Sequence, residues 1–216
     1  IVSRRIAELD PYLSVRVEAR GITADTVDDF LDGLDIVVEE CDSLDVKVLL
    51  REAAKRHRIP VIMETSDRGL LDVERFDLEP DRPIFHGAVG TLSSGALSGL
   101  STRDKAPHVM SILGASDVSA RFAASMVEVD RTISTWPQLG SDVALGGATV
   151  AAVVRRIVLG LSMPSGRTRV DVDGALDTLG TTESARDPID EPAPTTAPTT
   201  PTSVVDSMVL PAGDKK

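Results

Sequence analysis

Apolar positions follow two rhythms in the middle of the chain. Short β-branched runs at residues 36–38 and 59–63 suit strands buried on both faces. Each runs into a polar cluster, at 39–43 and at 64–68. Between them Leu44, Val48, Leu49 and Ala53 recur at helical spacing. Strand, polar tip, helix, strand, polar tip predicts a βαβ unit, whose ligands sit beyond the carboxyl ends of its strands. Asp42 and Asp67 stand at those ends.

The flanking pattern is weaker. Residues 1–9 read as the last turns of an amphipathic helix (Ile1, Val2, Ile6, Leu9), stopped by Asp10-Pro11 because proline disfavours a helical residue before it. Residues 14–20 alternate, with Val15, Val17 and Ala19 on one side, and predict a strand. Thr26-x-x-Asp29 resembles a capping box with Asp in place of Glu and opens a short helix ending near Gly33. After Gly69, strands are expected at 70–76 and 84–86, then a glycine- and serine-rich segment at 87–99. Thr102 and Ser116 are candidate N-caps for two helices, the second carrying Val118, Phe122, Met126 and Val129. Trp136-Pro137 breaks the chain. The longest helix is expected at 139–159, with a small-residue face of Ala144, Gly147, Ala148 and Ala151. The two glycines in its interior each cost roughly 1 kcal/mol relative to alanine, a cost that close backbone approach by another element offsets. A last strand is expected at 167–173. Beyond Gly180, Pro, Thr, Asp and Ser dominate, and 192–202 is a Pro/Thr tract that cannot bury enough apolar surface to fix itself. Residues 1–175 are thus read as the folded domain and 176–216 as a disordered linker or tail.

With 216 residues, 42% of them hydrophobic, the chain has room for one ordinary core. A net charge of −11 argues against nucleic acid, whose phosphates need a basic footprint. The single cysteine, Cys41, excludes an internal disulfide and paired-cysteine zinc sites and fits a reducing, cytoplasmic setting. The longest apolar stretch, 143–154, is about a dozen residues and too short to span a bilayer. There is no signal-peptide pattern at the start. The chain opens at Ile1, without methionine or N-cap, inside a helical pattern; it is read as a piece of a longer protein.

Each chemically suggestive residue has a plainer reading beside it. An aspartate at a strand tip, such as Asp42, is more often a helix N-cap or loop residue than a metal ligand, and Lys47 can pair with Ser43 or Asp42 on a solvated turn. Glu64, Asp67 and Arg68 line a pocket rim in one reading; in the other, favoured one, Asp67-Arg68-Gly69 is a turn held by a local ion pair. Cys41 is the one available thioester nucleophile, but the acids on either side, Glu40 and Asp42, raise a thiol pKa, which favours packing. His57 is a helix-end residue; His86 and His108 have no partner at metal-ligand spacing. Asp28, Asp29 and Asp32 read as a solvated face.

The sequence Val-Val-Glu-Glu-Cys-Asp-Ser at 37–43, with Lys47 and a helix after it, resembles the second half of the ThiF/E1-like domain. There a strand ends in an Asp-Asn motif with a basic residue four positions after the Asn. Arg-Arg-Ile-Ala-Glu-Leu-Asp-Pro at 4–11 is similar to the helix end before that family's middle strands, and Pro-Gln-Leu-Gly at 137–140 to the start of its closing helix. The resemblance covers roughly residues 1–170, and it is closest to actinobacterial versions in which a nitroreductase-like domain can follow the linker. It implies a Rossmann-like doubly wound α/β domain that binds ATP and Mg²⁺ and adenylates the C-terminal carboxylate of a small ubiquitin-like or sulfur-carrier protein. It also implies homodimers paired across the closing helix, residues 143–159. Matched residue by residue, Asp42 takes the place of the aspartate that binds magnesium and the ATP phosphates. Ser43 stands where Asn is usual and Lys47 where Arg is usual, and lysine lacks the guanidinium fork. The family's glycine-rich loop, ribose-binding acid and upstream Arg and Lys belong before Ile1, so this piece alone is expected not to adenylate. Two other classes are weighed against this: a non-catalytic Rossmann-like docking or dimerisation module, and an NAD-dependent oxidoreductase.

Overall fold

In the computed structural model, which describes residues 1–129, 131–134 and 138–180, the predicted βαβ unit forms. Strand β1 (Val37–Val38), helix α3 (Leu44–His57) and strand β2 (Val61–Thr65) follow helices α1 (Val2–Leu9) and α2 (Val27–Leu31). β1 and β2 are parallel, with Val37 opposite Val61 and Val38 opposite Ile62. β2 then turns back antiparallel into β3 (Leu70–Glu74), and β4 (Gly166–Arg169) adds antiparallel to β3, giving the order β1-β2-β3-β4. Between β3 and β4 lie a 3₁₀ turn (Ile84–Gly87), α4 (Ser94–Leu97), α5 (Thr102–Leu113), α6 (Ala120–Met126) and α7 (Gly140–Val158); α8 (Val172–Leu176) follows β4. Residues Ile1–Asp177 form one compact unit. The Pro/Thr tract lies outside the described residues, as do Trp136 and Pro137.

The strand period of two sorts side chains between the sheet's faces. Val61 and Val37 pack with α2 and α3 through Val27, Leu31, Leu50 and Ala53, and Met63 packs with Leu44, Val48, Phe85, Leu97 and Ile112. Ile62, Leu71 and Val73 point the other way, onto Val150 and Val153 of α7. Helices therefore cover both faces of the sheet, the expected α/β layering. Helix α3 stops where Arg58 adopts a left-handed conformation (φ 55°) and its N–H turns back to the carbonyls of Ala54 and Lys55. At the β2–β3 turn glycine is required twice over at Gly69: its φ of 54° lies in the left-handed region, and a Cβ there would collide with the Val170 carbonyl. The Val170 N–H in turn donates to the Gly69 carbonyl at 2.9 Å.

Several expectations are corrected. Residues 14–20 are exposed throughout and form no strand; the alternation supplied a face but no neighbouring backbone, and the segment is tied instead through Arg16, whose guanidinium donates to the Phe30 carbonyl at 2.9 Å. Residues 84–86 form the 3₁₀ turn because Phe85 and His86 take left-handed conformations. β1 is buried on one face only, since Val38 is 47% exposed. Ser101 and Ser119, rather than Thr102 and Ser116, cap α5 and α6 by accepting from the N–H groups of Asp104 and Phe122. On α7 the buried glycine is Gly146, while Ala144, Gly147, Ala148 and Ala151 face outward.

Arg51 is wholly buried between α3 and the sheet. Its Nη1 donates to Glu39 Oε2 at 2.5 Å and its Nε to Glu74 Oε2 at 2.6 Å, with the Phe85 ring 3.8 Å from the guanidinium carbon. Replacing Arg51 by Leu strands both carboxylates in the core, and the expected loss is about 3–5 kcal/mol in denaturant unfolding; a loss below ~1 kcal/mol would show that the triad contributes no more than a surface pair.

Candidate functional site

The carboxyl ends of β1 and β2 open into a cavity of about 760 Å³, walled by the strand tips, the start of α3, α5 and α7. Its apolar wall includes Val38, Leu44, Met63, Ile112, Val143 and Val150, and its carboxylates are Glu40, Asp42, Glu64 and Asp67.

The tip of β1 is divided by the strand period. Glu39 turns inward, 1% exposed, where its carboxylate takes Arg51, the Lys47 ammonium at 2.9 Å and the Cys41 backbone N–H at 2.6 Å. Burial alone would push the Glu39 carboxyl up, but the Arg51 and Lys47 cations outweigh it and hold it below the usual range. Asp42 turns outward. It is exposed and lines the cavity, and its carboxylate has no hydrogen bond or ion pair among the described residues. Ser43 takes the N-cap position of α3 but its hydroxyl donates to Asp45 at 2.5 Å, so no side chain caps the helix. The positive dipole end of a 14-residue helix that Ser43 leaves uncapped thus begins beside Asp42, an arrangement that favours anions.

Lys47 lines the cavity with its Nζ engaged by Glu39 and 3.7 Å from Met63 Sδ; it pairs with neither Ser43 nor Asp42. Lys105, the cavity's other basic side chain, is held by Asp45 at 2.7 Å. Asp67 and Arg68 do occupy a turn, but not one closed by their own ion pair. Asp67 accepts from the Ser119 hydroxyl at 2.5 Å and the Ser119 N–H at 3.0 Å, which docks the start of α6. Arg68, in a left-handed conformation (φ 56°), donates to Asp171 at 2.7 Å and lines a smaller neighbouring cavity of about 380 Å³. The structure therefore brings Asp42, Ser43, Lys47, Glu64 and Asp67 to one cavity and turns Arg68 away from it.

Glu64 is not part of the polar tip: it lies within β2, 9% exposed. Its Oε1 has no hydrogen-bond partner among the described residues. Burial pushes its carboxyl up to about 7, and repulsion from Glu40 and Asp142 adds to this. The Cys41 thiol is likewise pushed up to about 11, chiefly by burial and then by Glu39; the direction was legible in the sequence, but the responsible charge is Glu39 rather than Glu40 or Asp42. Such a thiol is a poor nucleophile at neutral pH.

Asp72, Glu74 and His86 bring ligand atoms within 4.8 Å of one another, yet they are engaged by other side chains. Asp72 takes His86 Nε2 at 3.0 Å and Arg167 Nε at 2.6 Å, and Arg51 holds Glu74. His86 Nδ1 accepts from Arg82 Nε at 3.0 Å, so its Nε2 carries the hydrogen and has no lone pair to offer a metal. Of this cluster the sequence offers only His86, which has no partner at metal-ligand spacing; its contacts with Asp72, like those of Arg51 with Glu39 and Glu74, are long-range and leave no local signal.

The family model of the ThiF family matches residues 1–130. The chain is also 60% identical over 179 residues to the uncharacterized protein MT1398 of Mycobacterium tuberculosis (strain CDC 1551 / Oshkosh), an alignment covering 83% of this chain and 25% of that protein. The chain thus spans about a quarter of the length of that relative. No solved structure matches it. Among the described residues no helix is long and apolar enough to cross a membrane.

The buried Glu64 carboxyl gives folding a signed pH dependence. Its folded value, about 7 against an ordinary 4.5, means that between these pH values the native state binds more protons than the unfolded one, so stability falls as pH rises through this window. Glu64→Gln should remove that slope and leave the variant more stable than the parent at pH 8 by ~1–2 kcal/mol, with little difference at pH 4.5. Melting curves at the two pH values check this; a variant less stable at pH 8 would show that the carboxylate has a partner.

Proposed function

Because the chain belongs to the ThiF family, whose domains are Rossmann-like, we propose that the cavity above β1 and β2 receives ATP with Mg²⁺, and that the protein adenylates the C-terminal carboxylate of a small ubiquitin-like or sulfur-carrier protein. The observation carrying this reading is Asp42: a free carboxylate on the wall of a cavity of about 760 Å³, beside the uncapped first turn of α3.

In adenylation a carboxylate oxygen attacks the α-phosphorus and the bond to pyrophosphate breaks. No proton moves, so catalysis consists of alignment and charge neutralisation. A hard, unengaged oxygen such as that of Asp42 suits Mg²⁺, and the ion would supply the positive charge that the phosphates require. That charge is needed here because both cavity lysines are already spent on Glu39 and Asp45. Ser43 and the first turn of α3 face the phosphate end, while Glu64 and Asp67 belong to the wall. Lys47, pinned to Glu39, contributes field rather than a direct contact. The outward face of α7, with exposed Ala144, Gly147, Ala148 and Ala151, is the surface for pairing with a second copy through residues 143–159.

A docking module without catalysis is the second reading. It is favoured by the engagement of Lys47 and by a Cys41 thiol raised to about 11, which is unsuited to thioester formation.

Calorimetric titration of the full-length protein separates the two. ATP should bind only when Mg²⁺ is present, and Asp42→Ala should weaken that binding at least ~10-fold with the melting temperature unchanged, since Asp42 is exposed and unbonded. Mg²⁺-independent ATP binding, or an unaffected Asp42→Ala variant, would remove the site assignment.

A further inference from the structure

We propose that Glu64 is a specificity-determining residue of this cavity, holding the amino group of a primary-amine ligand whose short apolar stem lies along the α7 side of the sheet. The inference rests on the reading of the cavity as a ligand site, and it concerns a different end of it from Asp42.

The carboxylate is placed by its surroundings rather than by a partner. Glu64 sits on β2 opposite Leu71 of β3, on the face covered by α7, and its backbone N–H is taken by Glu40 Oε1 at 3.1 Å. A Cβ at residue 146 would stand 2.1 Å from Glu64 Oε2, so α7 carries a buried glycine where the carboxylate passes. Although the residue is only 9% exposed, its Oε1 has no hydrogen bond among the described residues. The Glu64 carboxylate thus has an acceptor oxygen with no donor among the described residues, whereas Thr65, next along the strand, belongs to the opposite face.

Charge decides which donors. Glu40 beyond β1 and Asp142 on α7 repel negative charge at this group, and Asp42 and Asp67 line the same cavity at the strand tips. The two cationic side chains of the cavity, Lys47 on α3 and Lys105 on α5, point their charge at Glu39 and Asp45 instead. An anionic ligand group at Glu64 would be repelled, and a neutral one would leave the surplus uncompensated. An ammonium offers three N–H donors and a positive charge. Beside it, Val38, Val143 and Val150 form an apolar strip suited to a short alkyl stem. The raised carboxyl, about 7 when the site is empty, means that the pairing form is scarce at pH 6 and dominant at pH 8.

The test is titration of the full-length protein with n-butylammonium, n-butanol and n-butyrate at pH 6 and pH 8, followed by calorimetry or amide chemical shifts. Butylammonium should bind in preference to the other two, roughly 10-fold more tightly at pH 8 than at pH 6 because the ionised fraction of a group near 7 rises by about that factor. Glu64→Gln should abolish both the binding and its pH dependence. Gly146→Ala, whose methyl would displace the carboxylate, should weaken binding at least ~10-fold and so covers the case in which Glu64→Gln fails to fold. Equal binding by either folded variant, preference for butyrate, or no saturable binding of butylammonium at pH 8 would overturn the proposal. ATP binding with Mg²⁺, measured on the same samples, reports separately on the adenylation reading. Loss of one with retention of the other shows which of the two fails.

Discussion

The buried guanidinium of Arg51 is the interaction on which the rest of the structure depends. It lies on α3, yet it binds a carboxylate from each side of β2: Glu39 at the end of β1 and Glu74 at the end of β3. Isolated, any of these three charges would be costly in the interior; together, with Phe85 across the guanidinium face, they satisfy most of one another's bonding capacity. The sharing is unequal. Burial of Glu74 outweighs Arg51 and leaves its carboxyl raised, whereas Arg51 and Lys47 outweigh burial at Glu39 and hold it low. The anion at the β1 end is therefore the more firmly established.

Consequences run outward from Glu39. Its inward turn forces its neighbours on the pleat outward, so Glu40 meets the end of β2 and Asp42 faces the cavity. Its second oxygen draws in Lys47 and the Cys41 N–H, which fixes the chain between strand and helix. A second polar set, Asp72 with the Arg167 guanidinium and the His86 ring, binds β3 to β4 and to the 3₁₀ turn. Arg167 and Arg169 also reach the carbonyls of Ile112 and Leu113 at the C-terminal end of α5, where positive charge complements the helix dipole. The cavity's walls are thus placed by ionic contacts behind them, while the cavity itself keeps its surplus of acids.

The sequence was most readable where apolar period and punctuation agreed. The βαβ unit, with α3 inside it, and the long α7 follow directly from such agreement. It failed where a pattern supplied a face but no partner, as at 14–20, and where backbone conformation overrode a short apolar run, as at Phe85 and His86. The candidate cavity was legible at its Asp42 end, because that aspartate stands where a strand gives way to a helix. Its other end was not, because a glutamate following Val-Ile-Met reads as a strand terminus. Only the contact with Gly146, some eighty residues further on, shows it to be interior. Arg51, Glu39 and Glu74 escaped for the same reason: charge is ordinarily a sign of solvent, and long-range pairing leaves no mark on local pattern.

The central claim is that a nucleotide-held cation sits at the tip of β1. Paramagnetic broadening of the full-length protein's amide signals by Mn²⁺ with a non-hydrolysable ATP analogue tests it most directly. The account predicts that broadening is strongest from Glu40 to Leu44 and fades along α3. Broadening centred on Asp72, Glu74 and His86, or spread evenly over the acidic surface, would contradict it.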